Sequence, residues 1–151
     1  MTTNILYRKM TYEDITSVLA IEREAFTLPW TEEAFQHEMT NNFHAYYVVA
    51  ETAEHQIVGF CGMWLVMDEC HITNVAVLQA FKGRKIGEGL MREAIRVSKE
   101  HGAVLMTLEV RVTNTPAQNL YRKLGFKDGG IRKNYYTDNQ EDGLVMWVEF
   151  T

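Results

Sequence analysis

A short basic turn between an apolar strand and an apolar helix is the first place where residue types in this chain suggest chemistry. The stretch from Val75 to Met91 ends a β-type run at Val77, passes through Lys82, Gly83, Arg84 and Lys85, and resumes apolar residues at helical spacing from Ile86. The first amides of a helix lack internal partners, and the aligned peptide dipoles place roughly half a positive charge there. Such a turn accepts an anion, and this one reads as a pyrophosphate cradle. Strand-to-helix turns with glycine also occur where no phosphate binds, their lysines merely solvated, so both readings stand on the local pattern alone.

Glu109 is the second candidate. In the run Val104 to Val112, alternation puts Val104, Met106, Leu108 and Val110 on one side and Leu105, Thr107, Glu109 and Arg111 on the other. A carboxylate in a strand otherwise suited to burial is either a proton-transfer group or a structural charge paired with Arg111 or a backbone amide. Cys61 and Cys70 lack metal-ligand spacing and read as small core residues, so no metal site is expected.

The frame for these residues is an ordinary globular chain. It has 151 residues, 46% hydrophobic and 23% charged, which suits one domain over residues 1–151 with a real core. No run is long enough to cross a bilayer, and Met1 to Met10 lacks the apolar centre of a signal peptide, which points to the cytoplasm. The net charge of −5 argues against direct nucleic-acid binding and would attract a basic partner. Composition leaves the oligomeric state open.

Taken in order, Ile5 to Arg8 reads as a strand. Thr11 with Asp14 opens a helix to about Phe26, and Thr31 opens a second helix to about Met39 after the break at Leu28-Pro29-Trp30. Trp30 is either the buried pivot of a rigid corner or the rim of a cleft. Ala45 to Ala50 and Gln56 to Met67 form a hairpin, Cys70 to Val77 a further strand, and Gly83 to His101 a helix on which Glu88 and Arg92 can pair. Thr115-Pro116 marks a helix start with Thr115 as cap, and Phe126 to Tyr135 and Leu144 to Phe150 complete the strands.

This element order resembles the GNAT N-acetyltransferase family over essentially the whole chain, and within it the RimI-type enzymes that acetylate the N-terminal alanine of a small-subunit ribosomal protein. The resemblance rests on Ala25-Phe26 with Pro29-Trp30, on Asn74-Val75-Ala76-Val77, on Leu108 to Arg111 with Leu120 to Phe126, and on Ile131-Arg132-Lys133-Asn134-Tyr135-Tyr136. It implies an α/β (α+β) fold: a single mixed sheet of about seven strands flanked by about four helices, with acetyl-CoA in a cleft between splayed parallel strands.

By the same resemblance, Glu109 matches the general base and Tyr121 the general acid that protonates the CoA thiolate. On spacing alone Tyr121 is equally part of an apolar face with Ala117, Leu120 and Leu124. Val75, Ala76 and Val77 match the strand that binds the pantetheine arm, with Val77 a candidate oxyanion donor. Gly83, Arg84, Lys85, Ile86, Gly87 and Glu88 match the pyrophosphate loop. Lys85 stands where the family has its first glycine; its amide is expected to serve with a negative φ, Gly83 supplying the freedom. Asn114 matches a CoA contact or is a turn former. Tyr135 and Tyr136, by resemblance, and Trp30, by composition, are candidates for the peptide groove, with edge packing as the other reading.

The resemblance implies a basic ribosomal protein as partner, and physical chemistry supports an α-amine acceptor. An α-amino group has a pKa near 7.7–8.0 against about 10.4 for lysine, so roughly a tenth of it is neutral near pH 7. A lysine or small-amine acceptor, and a non-catalytic CoA-binding module, are the alternatives.

Overall fold

A computed structural model describes residues 4–150. Among them the chain runs β1 (Ile5–Lys9), a 3-10 turn (Tyr12–Asp14) continuing into α1 (Ile15–Ala25), α2 (Glu32–Thr40), β2 (Ala45–Thr52), β3 (Ile57–Val66) and β4 (Glu69–Val77). A second 3-10 turn (Gln79–Phe81), α3 (Ile86–Glu100), β5 (Leu105–Arg111), α4 (Thr115–Lys123), β6 (Lys127–Tyr136) and β7 (Glu141–Glu149) follow. The strands make one open sheet in the order β1-β2-β3-β4-β5-β7-β6, with β4 and β5 parallel and the other neighbours antiparallel.

Period-two alternation divides the core between the two faces of this sheet. Val48 and Ala50 of β2 turn toward α3, where Leu90, Met91, Ala94 and Val97 form the helix stripe. Tyr47 and Val49 turn the other way, onto Ile15, Val18, Leu19 and Ile21 of α1 and Phe35 of α2. Cys61 and Cys70 are buried free thiols on the α3 side, in the core role expected of them.

Local chemistry explains most boundaries and moves a few. Asp14 accepts the Thr11 amide at 2.8 Å, as the Thr-x-x-Asp pattern requires, although the first turn is 3-10 and not α. The central helix starts at Ile86, three residues later than expected, because Lys85 is left-handed and cannot continue it backwards. The cap of α4 is Asn114 and not Thr115: Asn114 Oδ1 accepts the Ala117 amide at 3.3 Å, and Thr115 sits inside the first turn before Pro116. The turn at Gln79–Phe81 carries no strong periodic signal and was not anticipated.

The face under α1 and α2 depends on one buried carboxylate. Glu38 accepts the Tyr47 hydroxyl at 3.0 Å, Trp64 Nε1 at 2.7 Å and Asn42 Nδ2 at 2.7 Å, tying α2 to β2 and β3. Tyr47 is fully buried, so removing its acceptor strands a hydroxyl away from water. Glu38→Ala is expected to lower unfolding free energy by about 1–3 kcal/mol, measured by urea denaturation, because the buried Tyr47 hydroxyl loses its acceptor while the part-exposed Trp64 Nε1 can turn to water.

Candidate active site

The two parallel strands stay together for three rungs only. Glu69 pairs with Leu105, Cys70 with Met106 and His71 with Thr107, and beyond His71 the strands part. The cause lies on the other edge of β4. Gly62 opposes Asn74 but Met63 opposes Ile72, so Thr73 is an extra residue, a β-bulge that bends and twists the strand where it leaves β5. Gly62 permits the bend, since a Cβ there would lie 2.4 Å from Asn74 Oδ1 and 2.5 Å from the Tyr47 ring.

The bulge also exchanges faces. Cys70 and Ile72 belong to the α3-side core before it, whereas Val75 and Val77 pack against that side after it and Ala76 turns toward α1. These last three residues pair with β3 through Cys61, Phe60 and Gly59 while their edge toward β5 is left without a strand. A cavity of about 550 Å³ fills the split.

Glu109 reaches this cavity from the α1 side of the sheet, two residues past the last rung. It does not pair with Arg111, whose guanidinium turns to Asp138 at 2.8 Å and Glu141 at 3.2 Å and covers the Tyr136 ring. Glu109 Oε1 instead lies 3.2 Å from His71 Nε2 and accepts the Tyr135 hydroxyl at 3.2 Å, while Arg132 Nε stands 3.8 Å from Oε2. Burial pushes the carboxyl up, but His71, Tyr135 and Arg132 together outweigh it and hold the pKa below the ordinary carboxylate value.

Tyr121 approaches from the opposite face. It stands on α4, packed against Phe126 in the α3-side core, yet lines the same cavity. Among the described residues no buried side-chain polar atom lacks a partner and none bonds this hydroxyl, so the oxygen opens onto the cavity. Burial raises the phenol pKa, which keeps the proton on it.

A second carboxylate lines the cavity that the sequence did not single out. Glu22 of α1 accepts the Trp30 amide at 2.9 Å and Asn74 Nδ2 at 3.3 Å, fastening the segment after α1 to the bulged part of β4. Burial raises its pKa, partly offset by those two donors. The Trp30 ring is half-buried, lies 5.3 Å from Phe35 and forms part of the cavity wall. Tyr135 and Tyr136 meet edge to face at 5.0 Å on the opposing wall, and Thr27 Oγ1 donates to Asp138 Oδ2 at 2.5 Å across the mouth.

The basic turn lies apart from this cavity's lining, at the start of α3. Gly83 has φ +82 and a Cβ there would meet nothing within 4 Å, so it supplies the freedom expected. The expectation for Lys85 is corrected: φ is +62, because Lys85 itself makes the left-handed turn into the helix that a glycine makes without strain. The amide of Gly89 bonds Lys85 O at 3.0 Å, leaving the helix-start amides of Ile86, Gly87 and Glu88 without intrahelical partners. The Glu88 carboxylate is turned to Lys123 and Arg92, each under 3 Å, so it adds no unpaired negative charge beside those amides. Arg84 covers the Phe81 ring at 4.9 Å, and Asn114, its Oδ1 used as a cap, lines the cavity.

A mixed sheet opened between its central parallel strands, a carboxylate and a phenol converging on the opening, and a helix start beside it define an acyl-transfer enzyme. The model of the Acetyltransferase (GNAT) family matches residues 15–126, and the chain belongs to that family. Within it the chain is similar to the RimI-type ribosomal-protein-alanine N-acetyltransferases. A Bacillus subtilis (strain 168) protein, named provisionally as a ribosomal protein bS18-alanine N-acetyltransferase, is 50% identical over 148 residues, 98% of this chain and 97% of the relative. The Salmonella typhimurium (strain LT2) ribosomal protein bS18-alanine N-acetyltransferase is 34% identical over 135 residues, 88% of this chain and 89% of the relative. The crystal structure of the Escherichia coli ribosomal-protein-S18-alanine N-acetyltransferase superposes with a TM-score of 0.86 at 27% identity, covering 98% of this chain and 95% of that one.

The left-handed Lys85 generates a quantitative expectation. The conformation costs about 1–2 kcal/mol for a residue with a Cβ, and glycine's freer unfolded chain returns about 0.4–1 kcal/mol of that. Lys85→Gly should therefore raise unfolding free energy by up to ~1.5 kcal/mol in denaturant titration, whereas the same change at Lys82, whose φ is −67, should not.

Proposed function

We propose that this enzyme transfers acetyl from acetyl-CoA to the N-terminal α-amine of a protein in the cytoplasm, with the N-terminal alanine of a small-subunit ribosomal protein as the natural acceptor. The observation that carries the reading is the convergence of Glu109 and Tyr121, from opposite faces of the sheet, on one split between β4 and β5. The named activities of the relatives support the acceptor.

The residues present fit the cofactor. The strand-free edge of Val75, Ala76 and Val77 can bond the amides of an extended pantetheine arm, and the Val77 amide is the oxyanion donor of this reading. Gly83 to Glu88 offer main-chain amides and the positive helix end to a pyrophosphate, and nothing crowds Gly83 or comes closer than 4.0 Å to a Cβ at Gly87. Asn114 is a further contact. Acetyl-CoA supplies the activated thioester.

The protein's own groups then handle two protons. Glu109 takes one from the incoming ammonium, directly or through water, and Tyr121, kept protonated by burial, gives one to the departing thiolate and regains it from the second proton that the nitrogen sheds as the amide forms. A carboxylate held below its usual pKa is a weak base. Taking a proton from lysine rather than from an α-amine would be uphill by about 2.5 further pKa units, or roughly 3.4 kcal/mol, which favours the N-terminus. Trp30 and the Tyr135–Tyr136 pair would line the peptide's path between the two walls.

Mass spectrometry of a basic peptide with a free N-terminal alanine and an internal lysine, after incubation with acetyl-CoA, should place the acetyl group on the α-amine. Acetyl on lysine alone would overturn the acceptor while leaving the fold and cofactor in place. In the same assay Glu109→Gln should lower kcat by about 100-fold or more, the usual contribution of a positioned base, with CoA affinity by calorimetry nearly unchanged. Parallel loss of both would remove Glu109 from the proton-transfer role.

A further inference from the structure

We propose that His71 is the positioning residue of Glu109: its Nε2–H holds Oε1 so that Oε2 faces the amine, and the enzyme is active when this imidazole is neutral. The proposal rests on the reading of Glu109 as the base. His71 is the last β4 residue still paired with β5, and Glu109 lies on the same face two residues further along β5, where β4 has already departed. The imidazole therefore fills the flank of Glu109 that a paired strand would otherwise cover.

The hydrogen bonds define the state of the ring. An ionised carboxylate only accepts, so Nε2, 3.2 Å from Oε1, carries a hydrogen. Nδ1 lies 2.9 Å from Thr107 Oγ1, a hydroxyl that donates to a neutral ring or accepts from a protonated one by rotating its own hydrogen. Both charge states thus fit without moving a heavy atom. The Tyr135 hydroxyl shares Oε1, and Arg132 Nε, at 3.8 Å from Oε2, is beyond hydrogen-bond range. Oε2 is the oxygen left for substrate.

The charge on the ring then controls the base. A neutral Nε2–H orients Glu109, whereas an imidazolium makes a charge-assisted bond about twice as strong and lowers the affinity of the carboxylate for a proton. The other charged and titratable groups facing the pair come from β6, β5 and α1. From β6 they are Arg132 and Tyr135, with Tyr136 behind them pushed up to about 12; from β5, Arg111 is engaged by Asp138 and Glu141. From α1 the nearest carboxylate on the cavity is Glu22, whose partners are Trp30 and Asn74. The His71 side chain is 36% exposed, so replacing it opens no hole in the core.

The test compares kcat/KM for an N-terminal-alanine peptide from pH 5.5 to 8.5 in the wild type, His71→Gln and His71→Ala. Ionisation of the amine is common to all three and cancels in the ratio of variant to wild type. His71→Gln, which keeps a donor but no titrating ring, should be about fivefold slower at pH 8 and should close that gap as the pH is lowered toward 5.5. His71→Ala should be at least about tenfold slower at pH 8, the equivalent of a lost hydrogen bond to a charged group, with CoA affinity unchanged. A pH-independent ratio for His71→Gln overturns the proposal whatever His71→Ala does. A wild type that acetylates no amine overturns the reading of Glu109, and this inference with it.

Discussion

One extra residue in β4 governs the architecture of the site. Without Thr73 the strand would keep its register with β3 and its parallel pairing with β5, and the sheet would close over the space the cavity occupies. The bulge needs a glycine opposite it, because Asn74 and Tyr47 come too near Gly62 for any side chain. It is then held from the α1 side by Glu22, whose carboxylate takes Asn74 Nδ2 on one oxygen and the Trp30 amide on the other. The bend in β4 and the wall carrying Trp30 are consequently parts of one hydrogen-bonded unit.

The cavity wall opposite is organised by charge. Arg111 projects from the end of β5 into the β6–β7 hairpin, where Asp138, Glu141 and the Tyr136 ring surround its guanidinium. Each ion pair on a surface contributes little by itself, but a guanidinium with three partners on one hairpin fixes that hairpin's direction. The Thr27–Asp138 hydrogen bond then joins the hairpin to the segment after α1.

The fold was largely legible because periodicity, caps and glycine stops agree for nearly every element, and the family motifs named the order. Glu109 and Tyr121, which both line the cavity, were singled out for the same reason. His71 and Glu22 were not. His71 matters only through the parallel register that sets it beside Thr107, and register between strands separated by a helix leaves no local trace in the sequence. Glu22 looks like one more polar residue on the outer face of an amphipathic helix, and its burial follows from the bulge in a strand some fifty residues later. Lys85 was located correctly and given the wrong φ, since a lysine carries no signal for the left-handed conformation that this turn imposes.

The two groups assigned to proton transfer show how one cavity sustains opposite protonation states. Glu109 and Tyr121 both lose hydration, which on its own favours the neutral form of each. On the α1 face, two donors and a nearby guanidinium reverse that tendency and keep Glu109 charged. On the α3 face, Tyr121 meets an apolar core and no donor, so desolvation prevails and the phenol keeps its proton. The difference follows from which strand positions carry polar residues: His71 and Thr107, the last rung, face the α1 side, and Cys70 and Met106, the rung before it, face the α3 side. Alternation along β5 thus sets the charged Glu109 on one side of the opening, and α4 sets the neutral Tyr121 on the other, with the bulge in β4 holding the strands apart between them.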